Sequence, residues 1–334
     1  MKDVAALAQV SPKTVSNVIT GVVRVAPDTR ERVEHAIGAL GYVPNLAARG
    51  LRSGRSGMIA LVVPDLRTPF SAELTHEFVE LAHERGLGVQ IEQSWGDPHR
   101  TSELVTAARR HLVDGVVMNP VTAAESAALR AEDRAGVPIV VLGEVLHEDL
   151  DQVWVDSVDA ARRMTRLLVE LGHRRIAVIG APGAGLDTAT GRLRLEGYRQ
   201  ALDEAGLPHD VTLERTCASW SPAGAAAAVR AMLADGVQAD ALFCFTDSMA
   251  IGALAALREA GLRVPEDVSV AGFDGIADGE FASTPLTTVH FDKRAYAATA
   301  LDRLIARIEG SEAPATRTAL PARILRRSSV RDRR

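Results

Sequence analysis

"VSPKTVSNVIT", residues 10–20, has the rhythm of one short helix with two unlike faces. Ser11 is placed to cap it and Pro12 to fill its first turn, the favoured arrangement for a helix start. Val15, Val18, Ile19 and Val22 recur at i, i+3, i+4 and i+7 and mark one buried stripe. Opposite them stand Lys13, Ser16, Asn17 and Thr20, with nothing bulky among them. Upstream, Asp3 is expected to cap a helix over residues 4–8, with "QV" as the turn. Downstream, Pro27 opens a third helix with Asp28 and Glu31 at its positive end. Val33, Ile37 and Leu40 form its expected core stripe, and Gly41 ends it.

A small α-helical unit of this order is a helix-turn-helix, which lays its second helix in the DNA major groove. The groove-facing residues are then Pro12, Lys13 and Asn17. Lysine donates to guanine O6 and N7, and asparagine pairs with adenine. Ser11, Thr14 and Ser16 are suited to phosphate contacts, which position without specifying. The plain alternative is the solvated face of an ordinary three-helix unit. Charge favours the first reading. Residues 1–56 carry a net charge of +4 and the remainder −9. A basic head on an acidic body implies that the head meets a polyanion and the body does not.

The 334 residues suggest two or three domains, and 47% apolar content is ample for ordinary cores. No apolar run approaches membrane-span length. The N-terminus lacks the apolar core of a signal peptide. Cys217 and Cys244 have no Cys or His at ligand spacing and are expected to be buried free thiols of a reducing cytoplasm. After the head, "YVPNLAARGLRSGRSG" reads as one or two helical turns and a linker. From residue 58 the pattern changes. "MIALVVPD", "LGVQIEQS", "GVVMNP" and "PIVVLGE" read as strands alternating with helices over 70–85, 98–113 and 123–135. The rhythm restarts with helix 157–171 and strand "RIAVIG". Helix 189–205, a strand near 211–219, helix 222–234, strand "ALFCF", helix 247–260 and strand "VSVAGFD" follow. Residues 287–290, helix 293–309 and a strand near 322–326 close the chain. Runs of Val and Ile alternating with helices argue for parallel sheets covered on both faces.

"DVAALAQVSPKTVSNVITG", "TRERVEHAIGALGYVPNLAARGLRSGRSG", "IALVVPDLRTPF" and "VAGFDGIADGEFASTPLTTVHFD" stand in the order and spacing of the lac repressor (LacI/GalR) family. The chain resembles that family over essentially its whole length. The resemblance implies a small all-α helix-turn-helix head and an α/β core of two doubly wound parallel-sheet subdomains, periplasmic-binding-protein-like, type I. The implied domains are 1–43, the DNA-binding head; 44–57, hinge helix and linker; and 58–334, the effector-binding and dimerisation core. Within the core, one subdomain spans about 58–157 and 289–318, the other about 158–288 and 319–334. The implied function is a homodimeric, cytoplasmic and nucleoid-associated transcription regulator, usually a repressor, on a near-palindromic operator of double-stranded DNA.

The resemblance also implies site residues. Asn45, Ala48 and Leu51 fall in the hinge, with Leu51 as the apolar wedge into the minor groove. The effector cleft is expected to draw on Asp65, Phe70, Gln93, Asn119 and Glu144 from one subdomain. Arg194, Trp220, Thr246, Asp247 and Asp274 are expected from the other. Arg194 with Asp274 suits neighbouring hydroxyls, and Trp220 with Phe70 suits an apolar ring face. A sugar or nucleoside fits that mixture. Asp65 as a turn residue, Trp220 as a core aromatic and Asp247 as a helix cap are the structural alternatives.

The chain departs from the family at several places. Gln9 stands where glycine is usual, which implies a strained or altered turn. Ala26 replaces a serine-like cap. Gly50 falls inside the hinge helix and raises the cost of folding it. "RTPF" followed by Ser71 thins the aromatic wall of the cleft. The first helix begins almost at Met1, so an upstream start codon is expected. "RILRRSSVRDRR" has no leucine heptads, so no tetramerising tail is expected.

Other chemistries find little support. "VIGAPGAG", 178–185, has Thr188 where a third Rossmann glycine would stand and no P-loop lysine. There is no G-x-S-x-G. The nine histidines show no metal spacing, and His290 is expected to serve a structural or hinge role. No enzyme, metal or cofactor is expected. The alternative from another class is a solute-binding protein or sugar enzyme without DNA function.

Overall fold

The computed structural model describes residues 1–20, 23–42, 55–108, 113–129, 136–183 and 187–334. The hinge positions Asn45, Ala48, Gly50 and Leu51 lie outside these, as does Val22. The chain divides into two units, Met1–Gly57 and Met58–Arg334.

The first unit contains α1 (Lys2–Leu7), α2 (Pro12–Thr20) and α3 (Pro27–Ala39). Its core is small: Val4, Ala5, Ala8, Val15, Val18, Val33 and Ala36, with Ile19 and Ile37 packed at the edge. The expected stripe of α2 is therefore the buried one. Three expectations need correction or refinement. Helix α1 starts earlier than read, with Met1 as its cap and Asp3 inside the first turn, where its charge meets the positive helix end. Leu40 is 46% exposed because α3 stops at Ala39 and its stripe closes on Ala36. Gln9 does adopt the left-handed region, at φ 53°, without glycine's freedom.

The second unit holds two six-stranded sheets. Strands β1 (Met58–Val63), β2 (Gly88–Gln93), β3 (Val116–Met118), β4 (Ile139–Leu142), β5 (Asp151–Val155) and β11 (Arg317–Leu320) form the first, in the order β11-β5-β4-β3-β1-β2, all parallel. Strands β6 (Ile176–Ala181), β7 (Glu214–Thr216), β8 (Ala241–Cys244), β9 (Ser269–Asp274), β10 (Thr287–Phe291) and β12 (Ala322–Leu325) form the second, in the order β12-β10-β9-β8-β6-β7. Only β12 runs antiparallel, against β10. Helices α4 (Pro69–Glu84), α5 (Pro98–Ala107), α6 (Ala123–Ala128) and α11 (Lys293–Ile308) accompany the first sheet. Helices α7 (Ser157–Glu170), α8 (Ala189–Glu204), α9 (Pro222–Ala234) and α10 (Asp247–Glu259) accompany the second. The central strands are buried along nearly their whole length, as strands covered on both faces must be.

Strands β5 and β11 are not among the strands that the sequence pattern suggests. β5 opens on Asp151 and Gln152, polar yet buried at 4% and 1% exposure. Asp151 accepts from Arg307 Nε at 2.6 Å and from Thr316 N at 2.8 Å, partners far along the chain. Each sheet with its helices forms one lobe, and among the described residues the chain crosses between the lobes three times. The first crossing follows Val155. The second follows Phe291, which moves the expected boundary at 288/289 because β10 belongs wholly to the second sheet. The third falls at Pro321, between β11 and β12.

Helices α7 and α8 pack backbone to backbone at Gly197. A Cβ there would overlap the Val158 carbonyl and come within 2.9 Å of Arg162 N. Gly197→Ala should therefore destabilise the protein by roughly 1–3 kcal/mol through overpacking. Urea unfolding would measure it, and an unchanged midpoint would mean that the helices separate freely.

Candidate functional site

On the head, Pro12 and Lys13 are exposed at the start of α2, while Thr14, Ser16 and Asn17 are half-buried. Lys13 and Asn17 are four residues apart and share a helix face. Ser11 Oγ accepts from Thr14 N at 3.0 Å and lies 2.9 Å from Thr14 Oγ1, so the two hydroxyls expected at phosphates also lock the helix start.

In the second unit the carboxyl ends of both sheets open onto one cavity of about 670 Å³. Parallel sheets place their ligand crevices there, because the loops that follow strands diverge where the strand order reverses. β1 lies between β2 and β3, and β6 between β7 and β8. Asp65, Phe70, Asn119 and Glu144 reach the cavity from the first lobe; Arg194, Trp220, Thr246 and Asp274 reach it from the second.

Arg194 is the centre of the second wall. It is 5% exposed, and its guanidinium lies 3.5 Å from the Phe273 ring centroid. It donates to Asp274 Oδ1 and Ser157 Oγ, both at 3.4 Å, and to the Phe245 carbonyl. Ser157 in turn donates to Glu144 Oε1 at 2.5 Å, and Thr190 donates to Glu144 Oε2 at 3.0 Å. Glu144 thus ties the first lobe to two helices of the second. Ala189 N donates to Val121 O at 3.1 Å beside it, so this lip of the cleft is hydrogen-bonded across.

Asp274 ends β9 with φ 108°, a conformation that a non-glycine residue rarely adopts. Lys293 pins the strained turn by donating to Asp274 O at 2.8 Å and Gly275 O at 3.0 Å, and it pairs with Glu73 at 3.1 Å. Burial pushes the Asp274 carboxyl up to about 6, while Arg194 and Lys293 pull it back.

Two expected residues are not on the cavity wall. Gln93 turns to the β1–α4 loop, where its Oε1 accepts from Leu66 N at 2.8 Å. Asp247 is fully buried and faces away, accepting from Ile276 N at 2.9 Å and Thr288 Oγ1 at 2.6 Å. It is not the α10 cap either; Thr246 is, accepting from Met249 N at 3.1 Å. Trp95, Thr188, Thr190, Ser219, Ser221 and Tyr296 also line the cavity, and none of them is among the residues expected there. The N-cap hydroxyls Thr188 and Ser221 carried a signal, since they open α8 and α9 at the carboxyl ends of strands. Cys217 and Cys244 are buried free thiols. Among the described residues no cluster of potential metal ligands occurs, and no helix is long and apolar enough to cross a membrane.

Comparison with known proteins places these two units. Residues 1–45 match the family model described as bacterial regulatory proteins, lacI family, and residues 165–330 match that of a periplasmic binding protein-like domain. The chain is 36% identical to the HTH-type transcriptional regulator CelR of Thermobifida fusca, over 98% of this chain and 96% of the relative. A solved complex of CelR with cellobiose superposes with a TM-score of 0.74 at 34% identity, covering 98% of both chains. The lac repressor dimer bound to operator and the anti-inducer ONPF superposes with a TM-score of 0.84 at 28% identity, also over 98% of both.

The buried acids give the core a distinctive pH response. Burial first, and the Asp274 charge second, push the Asp247 carboxyl from its usual 3.8 up to about 8. Between those values the folded state holds a proton that the unfolded chain releases. Stability from this group is full below about pH 4 and is lost as pH rises through 8. Asp247→Asn should flatten that decline by up to about 1 kcal/mol per pH unit. Urea unfolding across about pH 5 to 8 reads the slope, and equal slopes in both proteins would remove Asp247 as its source.

Proposed function

This chain belongs to the LacI family, as a DNA-binding transcription regulator with an effector-binding core, and we propose that it is a homodimeric repressor switched by a sugar held in the cleft. The observation that carries the ligand class is the wall itself. Arg194, Asp274 and Glu144 present charged groups and the N-cap residues present hydroxyls, while Trp220 and Phe70 present flat apolar surfaces. A pyranose has that division, with hydroxyls around its rim and C–H groups on its faces. The cellobiose complex of CelR supports the same class.

On DNA, Lys13 and Asn17 read base edges with Pro12 beside them, and Ser11, Thr14 and Ser16 meet phosphates. Asn45, Ala48 and Leu51 are assigned to the minor groove on the sequence resemblance alone. The operator-bound lac repressor dimer supports a two-fold protein on a near-palindromic site. Such a protein works where the chromosome is, in the cytoplasm. Sugar binding then alters the cleft between the lobes, and the two states differ in operator affinity.

Two measurements test this. The logarithm of affinity for a duplex selected from a random library should fall linearly with the logarithm of salt concentration. Lys13→Ala should cost about 1–3 kcal/mol on that duplex and relax one base pair in each half-site. Equal losses on selected and random DNA would remove Lys13 from base reading. In a thermal-shift screen, a sugar present at about 100 times its Kd should stabilise the core by about 2.7 kcal/mol. A panel in which only nucleosides stabilise it would replace the ligand class.

A further inference from the structure

We propose that the cleft has a second ring-binding position at its mouth, with Trp95 as its platform, so that the effector contains at least two linked sugar rings. The inference rests on the sugar reading of the cleft and adds the length of the ligand. Trp95 lies in the loop between β2 and α5 and lines the cavity, yet it is 50% exposed. The core does not depend on a ring that is half in water.

Its backbone makes the placement more pointed. Trp95 has φ 58°, a left-handed conformation costly for a bulky residue, and Gly96 follows at φ 72°. The neighbouring loop enforces it. Trp95 N donates to Pro64 O and Ser94 N to Val63 O, both at 3.0 Å, while Gln93 holds Leu66 N. Backbone bonds therefore hold the residue in place while half of its surface stays open to solvent.

Arg67 completes the platform. Its guanidinium stands 5.3 Å from the indole centroid, and Asp65 grips it through Nε at 3.0 Å and Nη2 at 2.8 Å. A guanidinium paired with Asp65 beside an indole offers donors to ring hydroxyls and a flat face to ring C–H groups. The inner position already has its own aromatic, Trp220, on the opposite lobe with Arg194 5.8 Å from its ring. Two aromatic platforms on two lobes, in a cavity of about 670 Å³, suit two rings joined in line.

Calorimetry with glucose, galactose, cellobiose, maltose and lactose tests the proposal on the full chain and on Trp95→Ala and Trp95→Gly. At least one disaccharide should bind the wild-type protein about tenfold more tightly than its constituent monosaccharides, the scale of one aromatic contact. Trp95→Ala should erase that preference and leave monosaccharide affinity unchanged. Trp95→Gly should do the same with a melting midpoint no lower than wild type, because glycine relieves the φ strain. A preference that survives Trp95→Ala, equal binding of one and two rings by the wild type, or a large fall in midpoint for Trp95→Gly overturns the platform and leaves the sugar reading intact. Absence of binding by every sugar overturns both.

Discussion

Arg194 takes a full positive charge into the interior with 5% of its surface exposed, and the polar groups around the cleft are arranged to meet it. A buried ion without partners is strongly unfavourable, so the surrounding structure must supply them. Here they come from three places in the chain: the Phe273 ring and the Asp274 carboxylate at the end of β9, the Phe245 carbonyl after β8, and Ser157 at the start of α7. Satisfying one guanidinium fixes the carboxyl edge of the second sheet. Because Ser157 passes the network on to Glu144, it also engages the first lobe. Binding chemistry and lobe alignment therefore share one set of hydrogen bonds.

The strained turn at Asp274 follows from the same requirement. Its carboxylate must reach Arg194 while its carbonyl faces Lys293, and φ 108° is the geometry that the chain adopts to do both. Lys293 in turn meets Glu73 of α4, which also accepts from Ala277 N at 2.8 Å. A cation on each side of the turn thus offsets the cost of its backbone. Asp247, nearby and fully buried, accepts from Ile276 N and Thr288 Oγ1; burial and the Asp274 charge push its carboxyl up, while those bonds and the Lys293 charge pull it back.

Much of this was legible in the sequence, and the failures have physical reasons. Apolar runs such as "MIALVV" and "RIAVIG" declare buried strands, and strand ends locate the cleft. Position at a strand end does not reveal side-chain direction, so the positions of Gln93 and Asp247 suggest a cavity that neither side chain lines. β5 is hidden because its first two residues are polar; the partners of Asp151, Arg307 and Thr316, lie more than a hundred residues away in the chain, and Gln152 Nε2 donates to the Gly143 and Val145 carbonyls of the preceding loop. Trp95 gave no signal because its importance rests on a backbone angle set by the Pro64 carbonyl. The hinge, read from Leu51 and its neighbours, falls outside the described residues.

At Gly197 no side chain stands between α8 and the backbone of α7, and side chains between helices are what ordinarily let them slide. A joint without that compliant filling behaves as a rigid beam. Arg194 sits one turn before Gly197 on α8, and α7 begins just beyond the first crossing between lobes, after Val155. A pull on the guanidinium and a shift of the crossing strand are then displacements of the same stiff body, and the absence of one methyl group is what keeps slack out of the linkage.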